Sequence, residues 1–331
     1  MTSTNPIEVH LEAQGAKPNF RYDIIQPLVQ GRVQIEGVSL TVADAMETAG
    51  QFDNPKFKHG NFGLLDTNVG DILPAIDGGW DMVALPVLIK RKPIYNYIWV
   101  RADRGIETPK DLEGKTFATA IWGVVTTYAR GMLKKFHGVD HTTFKWIANV
   151  DGPWPLHKPV SVEYRTDGKP QWQRLLDGEV DACSGDIIVP RAWEIMESSP
   201  DIVKRLFPDY RQMHRDLRRD YGIVTPTHMI AMGGKLHREN PGLSRRLYDA
   251  FEQSREIAIA DAQGDGSSYN LIMDARELMR DQLKEMGDIY KHGIAANRDL
   301  FEMTLDFYED QGQTSRRLSL EEVFASDTLD T

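Results

Sequence analysis

With 331 residues, 41% of them hydrophobic and 27% charged, the chain is long enough for about two globular domains of ordinary soluble composition. Its formal charge of −10 excludes a general binder of nucleic acid or of anionic membranes, while leaving room for a local basic pocket. The lone cysteine, Cys183, excludes an internal disulfide; no stretch reaches the ~18 apolar residues of a membrane span; and M-T-S-T-N-P-I-E lacks the basic head and apolar run of a signal peptide, so a cytoplasmic location is expected.

Taken in order, residues 7–13 alternate as a half-buried strand, and V-Q-I-E-G-V-S-L-T-V reads as a strand pair around Gly37. In F-G-L-L-D-T-N-V-G-D-I-L a short apolar run ends at Asp66, and a helix follows with Asp66 or Thr67 as its N-cap. Trp80–Val87 is a continuous apolar strand of the kind buried on both faces of a parallel sheet. It runs into the cationic cluster K-R-K. Ligands of open α/β sheets lie beyond the carboxyl ends of strands, so Arg91 is a candidate grip for a carboxylate, beside the plainer reading of a solvated turn.

Tyr97–Arg101 is a further strand, Thr108 and Pro109 open a short helix that Gly114 ends, and a strand begins at Lys115. The junction Trp122–Thr126 presents hydroxyls and backbone donors at the start of an amphipathic helix, where an anion could dock. Phe144–Ala148 is a strand, residues 151–170 an irregular loop, and Val180–Cys183 a short strand with Asp186 just past its carboxyl end. Val203–Leu206 reads as helical, and residues 214–220 as an exposed helix.

In Y-G-I-V-T-P-T-H-M-I-A-M-G, Pro226 cannot donate to a ladder, so this strand is expected at a sheet edge or crossing between two bodies. His228 lies in its middle, with an unperturbed pKa near the working range of acid/base chemistry; the plain alternative is a histidine bonded inside the core. Three long helical segments follow, Leu243–Asp261, Ser268–Glu285 and Ile294–Gln311, and His292 reads as an exposed loop residue between the last two.

The strand and helix alternation predicts an α/β fold of two lobes, each a doubly wound, mostly parallel sheet, joined by two hinge strands. Lobe 1 would combine residues 1–103 and 226–331, and lobe 2 would be the insertion 104–225. The run D-L-E-G-K-T-F-A-T-A after I-W-V-R-A-D resembles the start of the second lobe in type II periplasmic-binding-protein folds. More narrowly, Y-D-I-I-Q-P-L-V-Q-G-R-V-Q-I-E-G-V, R-G-I-E-T-P-K-D-L-E-G-K, R-L-F-P-D-Y-R, G-I-V-T-P-T-H-M and R-R-L-S-L-E-E-V-F resemble the 4,5-dihydroxyphthalate decarboxylase family, which uses that fold as a soluble enzyme. Departures fall at Asp66–Gly70 in place of a glutamate and serines, at Pro93–Asn96 in place of F-R-H-S, and at Ala120–Val124 in place of E-Y-Q-M-T.

The resemblance implies decarboxylation of a hydroxylated aromatic (di)carboxylic acid such as 4,5-dihydroxyphthalate, giving protocatechuate and carbon dioxide, by protonation of a ring carbon in an interlobe cleft. His228 would be the acid/base, Asp66 or Asp186 its partner, and Arg91 the carboxylate anchor, with Asn68, Tyr95, Trp122 and Thr126 lining the pocket. No cofactor is expected; a divalent ion on Asp66, Asp186 and His228 stays open, although no H-x-x-H or clustered carboxylate spacing supports one. The expected partner is a small anionic aromatic substrate, and a homo-oligomer stays open. Because the same fold also serves binding, the alternative is a non-catalytic cytosolic solute-binding or sensor protein for a small aromatic or carboxylate ligand.

Overall fold

The structure, a computed structural model, describes residues 5–13, 22–44, 55–149, 152, 154–158, 160–184, 190–264 and 274–331. The chain divides into two compact units, the first of Met1–Arg91, Arg218–Glu302 and Leu318–Thr331, the second of Lys92–Leu217 and Met303–Arg317. In chain order the described strands are β1 (Ile7–Ala13), β2 (Val38–Asp44), β3 (Leu64–Asn68), β4 (Met82–Arg91), β5 (Ile98–Arg101) and β6 (Thr116–Ala118). They continue with β7 (Lys145–Ala148), β8 (Val162–Tyr164), β9 (Ala182–Ser184), β10 (Val203–Arg205) and β11 (Pro226–Gly233).

The first unit holds a five-stranded sheet in the order β2-β1-β3-β11-β4. β1 runs parallel to β2 and β3, whereas β11 is antiparallel to both β3 and β4. Alternation in β1 sends Val9, Leu11 and Ala13 to one face, where they join Leu64, Leu85, Val87, Ile89, Ile230 and Met232 in one core. That face is covered by the helix Leu243–Gln263, through the stripe of Leu243, Leu247, Ala250 and Phe251 at helical spacing. Ala84, Leu85, Val87 and Leu88 have no exposed surface, so the unbroken apolar run of β4 is buried on both sides, beside an antiparallel neighbour rather than a parallel one.

The second unit holds a six-stranded sheet in the order β10-β5-β9-β6-β7-β8. β9, β6, β7 and β8 are parallel in sequence of pairing, and β5 and β10 turn the edge antiparallel. Its core gathers Trp99, Ala118, Ile147, Leu175, Val180, Cys183, Met196 and Val203.

Several expectations are corrected. β11 is an interior strand with all eight residues buried, not an edge strand or a crossing between bodies. Pro226 is tolerated because it is the first residue of the strand, where a missing donor breaks no interior ladder bond. The stretch Val203–Arg205 is strand, paired with β5, rather than helix. The boundaries expected at 103 and 226 fall instead after Arg91 and before Arg218, because β5 hydrogen-bonds to β9 and β10. Residues 303–317 also belong to the second unit, where Gln311 Nε2 donates to the Thr127 carbonyl at 2.9 Å and Thr127 Oγ1 donates to Gln313 Oε1 at 2.9 Å. The helix expected over Ser268–Glu285 is described from Ala275 to Met286; residues 265–273 lie outside the described residues.

The end of β11 needs glycine. A Cβ at Gly233 would stand 2.3 Å from the Phe62 carbonyl oxygen and 2.6 Å from that of Gly60, both backbone atoms of a strand approach that cannot swing aside. Gly233→Ala is therefore expected to lower stability by about 1–3 kcal/mol in denaturant unfolding; an unchanged midpoint would contradict that packing.

Candidate active site

Leu64 faces the core of the first unit, and period-two alternation puts Asp66 on the same face of β3. On β11, Ile230 and Met232 face that core, which puts His228 on it as well. The antiparallel register pairs His228 with Asn68 and Ile230 with Asp66, so the imidazole and the carboxylate are diagonal neighbours at the carboxyl end of β3. His228 Nδ1 and Asp66 Oδ1 are 2.8 Å apart. The Asp66 side chain has no exposed surface, and His228 is 7% exposed. A carboxylate accepts only, so Nδ1 carries the proton and Nε2 of a neutral ring keeps its lone pair. Among the described residues Nε2 makes no hydrogen bond.

The pairing of β11 with β4 is irregular beside this dyad. His228 pairs with Lys90, Met229 with Leu88 and Ile230 with Leu85, so β4 carries one extra residue, Ile89, opposite the first of these steps of β11 and two, Val87 and Pro86, opposite the second. The segment around His292 satisfies the displaced backbone. Leu88 N–H donates to His292 Nδ1 at 3.3 Å, and Gly293 N–H donates to the Pro86 carbonyl at 2.9 Å. His292 is 1% exposed, contrary to the exposed loop expected for it. Burial, reinforced by Arg91 and Arg255, holds its pKa well below the ordinary histidine value, which keeps it a neutral acceptor.

The other sequence candidates are placed as follows. Asn68, not Asp66 or Thr67, caps the helix Val69–Asp77, accepting from Gly70 N–H at 2.9 Å. Three capping residues in succession made the position ambiguous; the outcome leaves Asp66 to face His228. The Arg91 guanidinium donates to the carbonyls of Val224 (2.6 Å) and Lys291 (3.3 Å) and to Asn297 Oδ1 (2.9 Å), bracing the end of β4. Asp186 lies outside the described residues.

In the second unit, Tyr95 is 1% exposed, with its hydroxyl 2.9 Å from His137 Nε2, its ring against Phe207, and its phenol pKa raised by burial. Trp122 is half-buried and packs on Gly152, where a Cβ would stand 1.6 Å from the indole. Thr126 is buried and bonds Thr119 Oγ1, which is 3.3 Å from Ser184 Oγ, so three hydroxyls meet near the carboxyl ends of β6 and β9. Burial pushes the Cys183 thiol up to about 12, which makes it an inert core residue. Among the described residues no three His, Cys, Asp or Glu side chains are grouped to hold a metal ion. Two residues beside the dyad were not singled out from the sequence: Tyr22, whose ring centroid is 6.3 Å from that of His228, and Lys90, whose Nζ is 6.0 Å from the Tyr22 ring centroid. The K-R-K cluster pointed to Lys90 as much as to Arg91; nothing local marks Tyr22.

The 4,5-dihydroxyphthalate decarboxylase of Comamonas testosteroni is 24% identical over 321 residues, covering 94% of this chain and 96% of its own. Over nearly its whole length the chain is similar to that 4,5-dihydroxyphthalate decarboxylase. The protein of that name from Pseudomonas putida is 26% identical over 198 residues, 57% of this chain and 74% of its own. Residues 58–152 match the family model NMT1/THI5 like. The periplasmic sulfonate-binding protein SsuA from Methylobacillus flagellatus KT shares the fold, with a TM-score of 0.58 at 13% identity over 97% of this chain and 92% of its own. The fold is thus the two-lobed α/β fold of the type II periplasmic binding proteins, as the resemblance implied.

Buried histidines give the second unit an acid limb. Burial drops His214, which accepts from Tyr95 N–H at 3.3 Å, to about 4, and burial with Arg130 does the same to His141. Both lie near 6.5 when unfolded, so their stabilisation is complete above that pH and is lost as the pH falls from 6.5 towards 4. His214→Gln, which keeps an acceptor, is expected to flatten the loss by up to ~1.4 kcal/mol per pH unit in denaturant titrations between pH 7 and 5. An unchanged slope would contradict the assignment.

Proposed function

We propose that the protein is a carboxy-lyase that removes carbon dioxide from a hydroxylated aromatic (di)carboxylic acid, 4,5-dihydroxyphthalate being the leading substrate and protocatechuate its product. The observation that carries this is the His228–Asp66 pair, an imidazole fixed in one tautomer by a buried carboxylate at the ligand end of the sheet. A protein that only binds needs no oriented proton carrier. Protonating a ring carbon requires one.

In this reading His228 Nε2 takes the proton of the ring hydroxyl para to the departing carboxylate, and the phenolate electron pair moves onto the carbon that bears that carboxylate. The imidazolium, stabilised by Asp66, returns its proton to that carbon. The carboxylate then leaves as carbon dioxide, its bonding pair restores the aromatic ring and the phenolate, and a solvent proton completes the product. One proton is consumed overall and no electron is transferred. In this reading Asp66 is the partner of His228, on the strength of their hydrogen bond. The similarity of the chain to two 4,5-dihydroxyphthalate decarboxylases supports the substrate class.

Incubation with 4,5-dihydroxyphthalate should release protocatechuate and carbon dioxide in equal amounts. His228→Gln should lower kcat by about 10²–10⁴-fold, and Asp66→Asn should lower it in the same direction, each without loss of the folded state. A chelator should leave the rate unchanged; loss that a divalent ion restores would overturn the metal-free mechanism. Tight binding across hydroxylated benzoates and phthalates without turnover would replace the lyase with a solute-binding or sensing role.

A further inference from the structure

We infer that His292 is a positioning residue for His228: its Nδ1, together with the Gly293 N–H, holds the irregular stretch of β4 that keeps Val87 from standing opposite the imidazole. The inference rests on the proposed function for what His228 does, and on the sheet alone for how its ring is seated.

At the start of β4 the pairing is regular. Met232 lies opposite Val83, Ala231 opposite Ala84 and Ile230 opposite Leu85. Continued one residue for one, that register would bring Val87 opposite His228, on the core face to which Leu85, Val87 and Ile230 all belong. Directly opposed Cβ atoms on one face of a sheet stand ~4.5–5.5 Å apart, so a valine there would crowd the imidazole. The extra residues of β4 move Val87 off that position and put Lys90 in its place.

A stretch displaced in this way loses ladder partners, and the chain at 292–293 replaces them. His292 Nδ1 accepts from Leu88 N–H at 3.3 Å, and Gly293 N–H donates to the Pro86 carbonyl at 2.9 Å. Successive residues can both serve the strand, one by its side chain and the next by its backbone, because the chain turns at Gly293. Its φ is 92°, and a Cβ there would stand 2.7 Å from the Tyr248 hydroxyl. The turn is anchored on both sides. His292 N–H donates to Glu252 Oε2 at 3.2 Å, a carboxylate itself gripped by Arg255, and Asn297 Nδ2 donates to the Gly293 carbonyl at 2.8 Å.

An imidazole is a costly means of supplying one acceptor. With Nδ1 accepting, the neutral ring carries its proton on Nε2, which is buried and makes no hydrogen bond among the described residues. Nor does this ring carry protons for the reaction, since burial holds its pKa well below the ordinary histidine value. What it provides is a fixed acceptor one step along the ladder from the dyad, because Leu88 pairs with Met229, the residue after His228.

Three variants of the full chain separate the place of the acceptor from its presence. In His292→Asn the side-chain oxygen falls near the position of Nδ1, in His292→Gln near that of Nε2, and His292→Leu has none. With 4,5-dihydroxyphthalate, kcat should fall about 10- to 100-fold in the Gln and Leu variants with KM changed less, and His292→Asn should recover most of the loss. In a His228→Gln background, His292→Leu should add no further loss. The nitrogen-15 resonance of His228 Nδ1 needs no turnover, and should move in the Gln and Leu variants but not in His292→Asn. The comparison of Asn with Gln decides the matter even where His292→Leu does not fold.

Undiminished kcat and an unmoved His228 resonance in His292→Gln and His292→Leu overturn the positioning role and leave the lyase standing. Equal losses in His292→Asn and His292→Gln also overturn it, by reducing His292 to a residue that fills the core. A His228 resonance that moves in the Gln and Leu variants alone, in a protein that releases no carbon dioxide, overturns the lyase and supports the positioning role.

Discussion

A carboxylate with no exposed surface must be given donors, and for Asp66 one of them is the Nδ1–H of His228. The requirement reaches back into the topology. Asp66 lies on β3 with apolar Leu64 before it on the same face, and β11 enters the sheet between β3 and β4 in the antiparallel sense that brings His228 to that face. A one-residue slip of β11 would turn His228 to the opposite face and put Thr227 or Met229 in its place. Register, burial and proton placement are therefore one constraint.

The irregular pairing of β4 with β11 serves the same constraint. The extra residues in β4 would leave backbone groups unpaired inside the protein, and His292 and Gly293 take up the Leu88 N–H and the Pro86 carbonyl from outside the sheet. Arg91 ties the end of the same strand to Val224, Lys291 and Asn297. These contacts fix where Lys90 and Arg91 emerge at the end of β4.

Much of the fold was legible because it rests on periodicity: the alternation of β1, the continuous apolar run of β4 and the helical stripe at Leu243, Leu247, Ala250 and Phe251 each announce their burial. Strand direction was not, since two-sided burial looks alike beside parallel and antiparallel neighbours. Pro226 misled because a proline at the first residue of an interior strand reads the same as one on an edge. At the site, His228 stood out by its residue type beside an apolar run and Asp66 by its place at the end of one, and the structure brings them together. Tyr95 and His292 were legible as residue types but not as buried ones, because their neighbours come from elements distant in sequence: Phe207 and His214 for the first, Leu88 for the second.

The account stands on the proton at Nδ1 of His228. Nitrogen-15 NMR of histidine-labelled protein at neutral pH, with the ring identified by its absence in His228→Gln, reads that proton directly. The expected spectrum has a protonated, hydrogen-bonded Nδ1 and a bare Nε2 that responds to an added aromatic acid. A ring with its proton on Nε2 and a bare Nδ1 would contradict the pairing with Asp66 and the chemistry built on it.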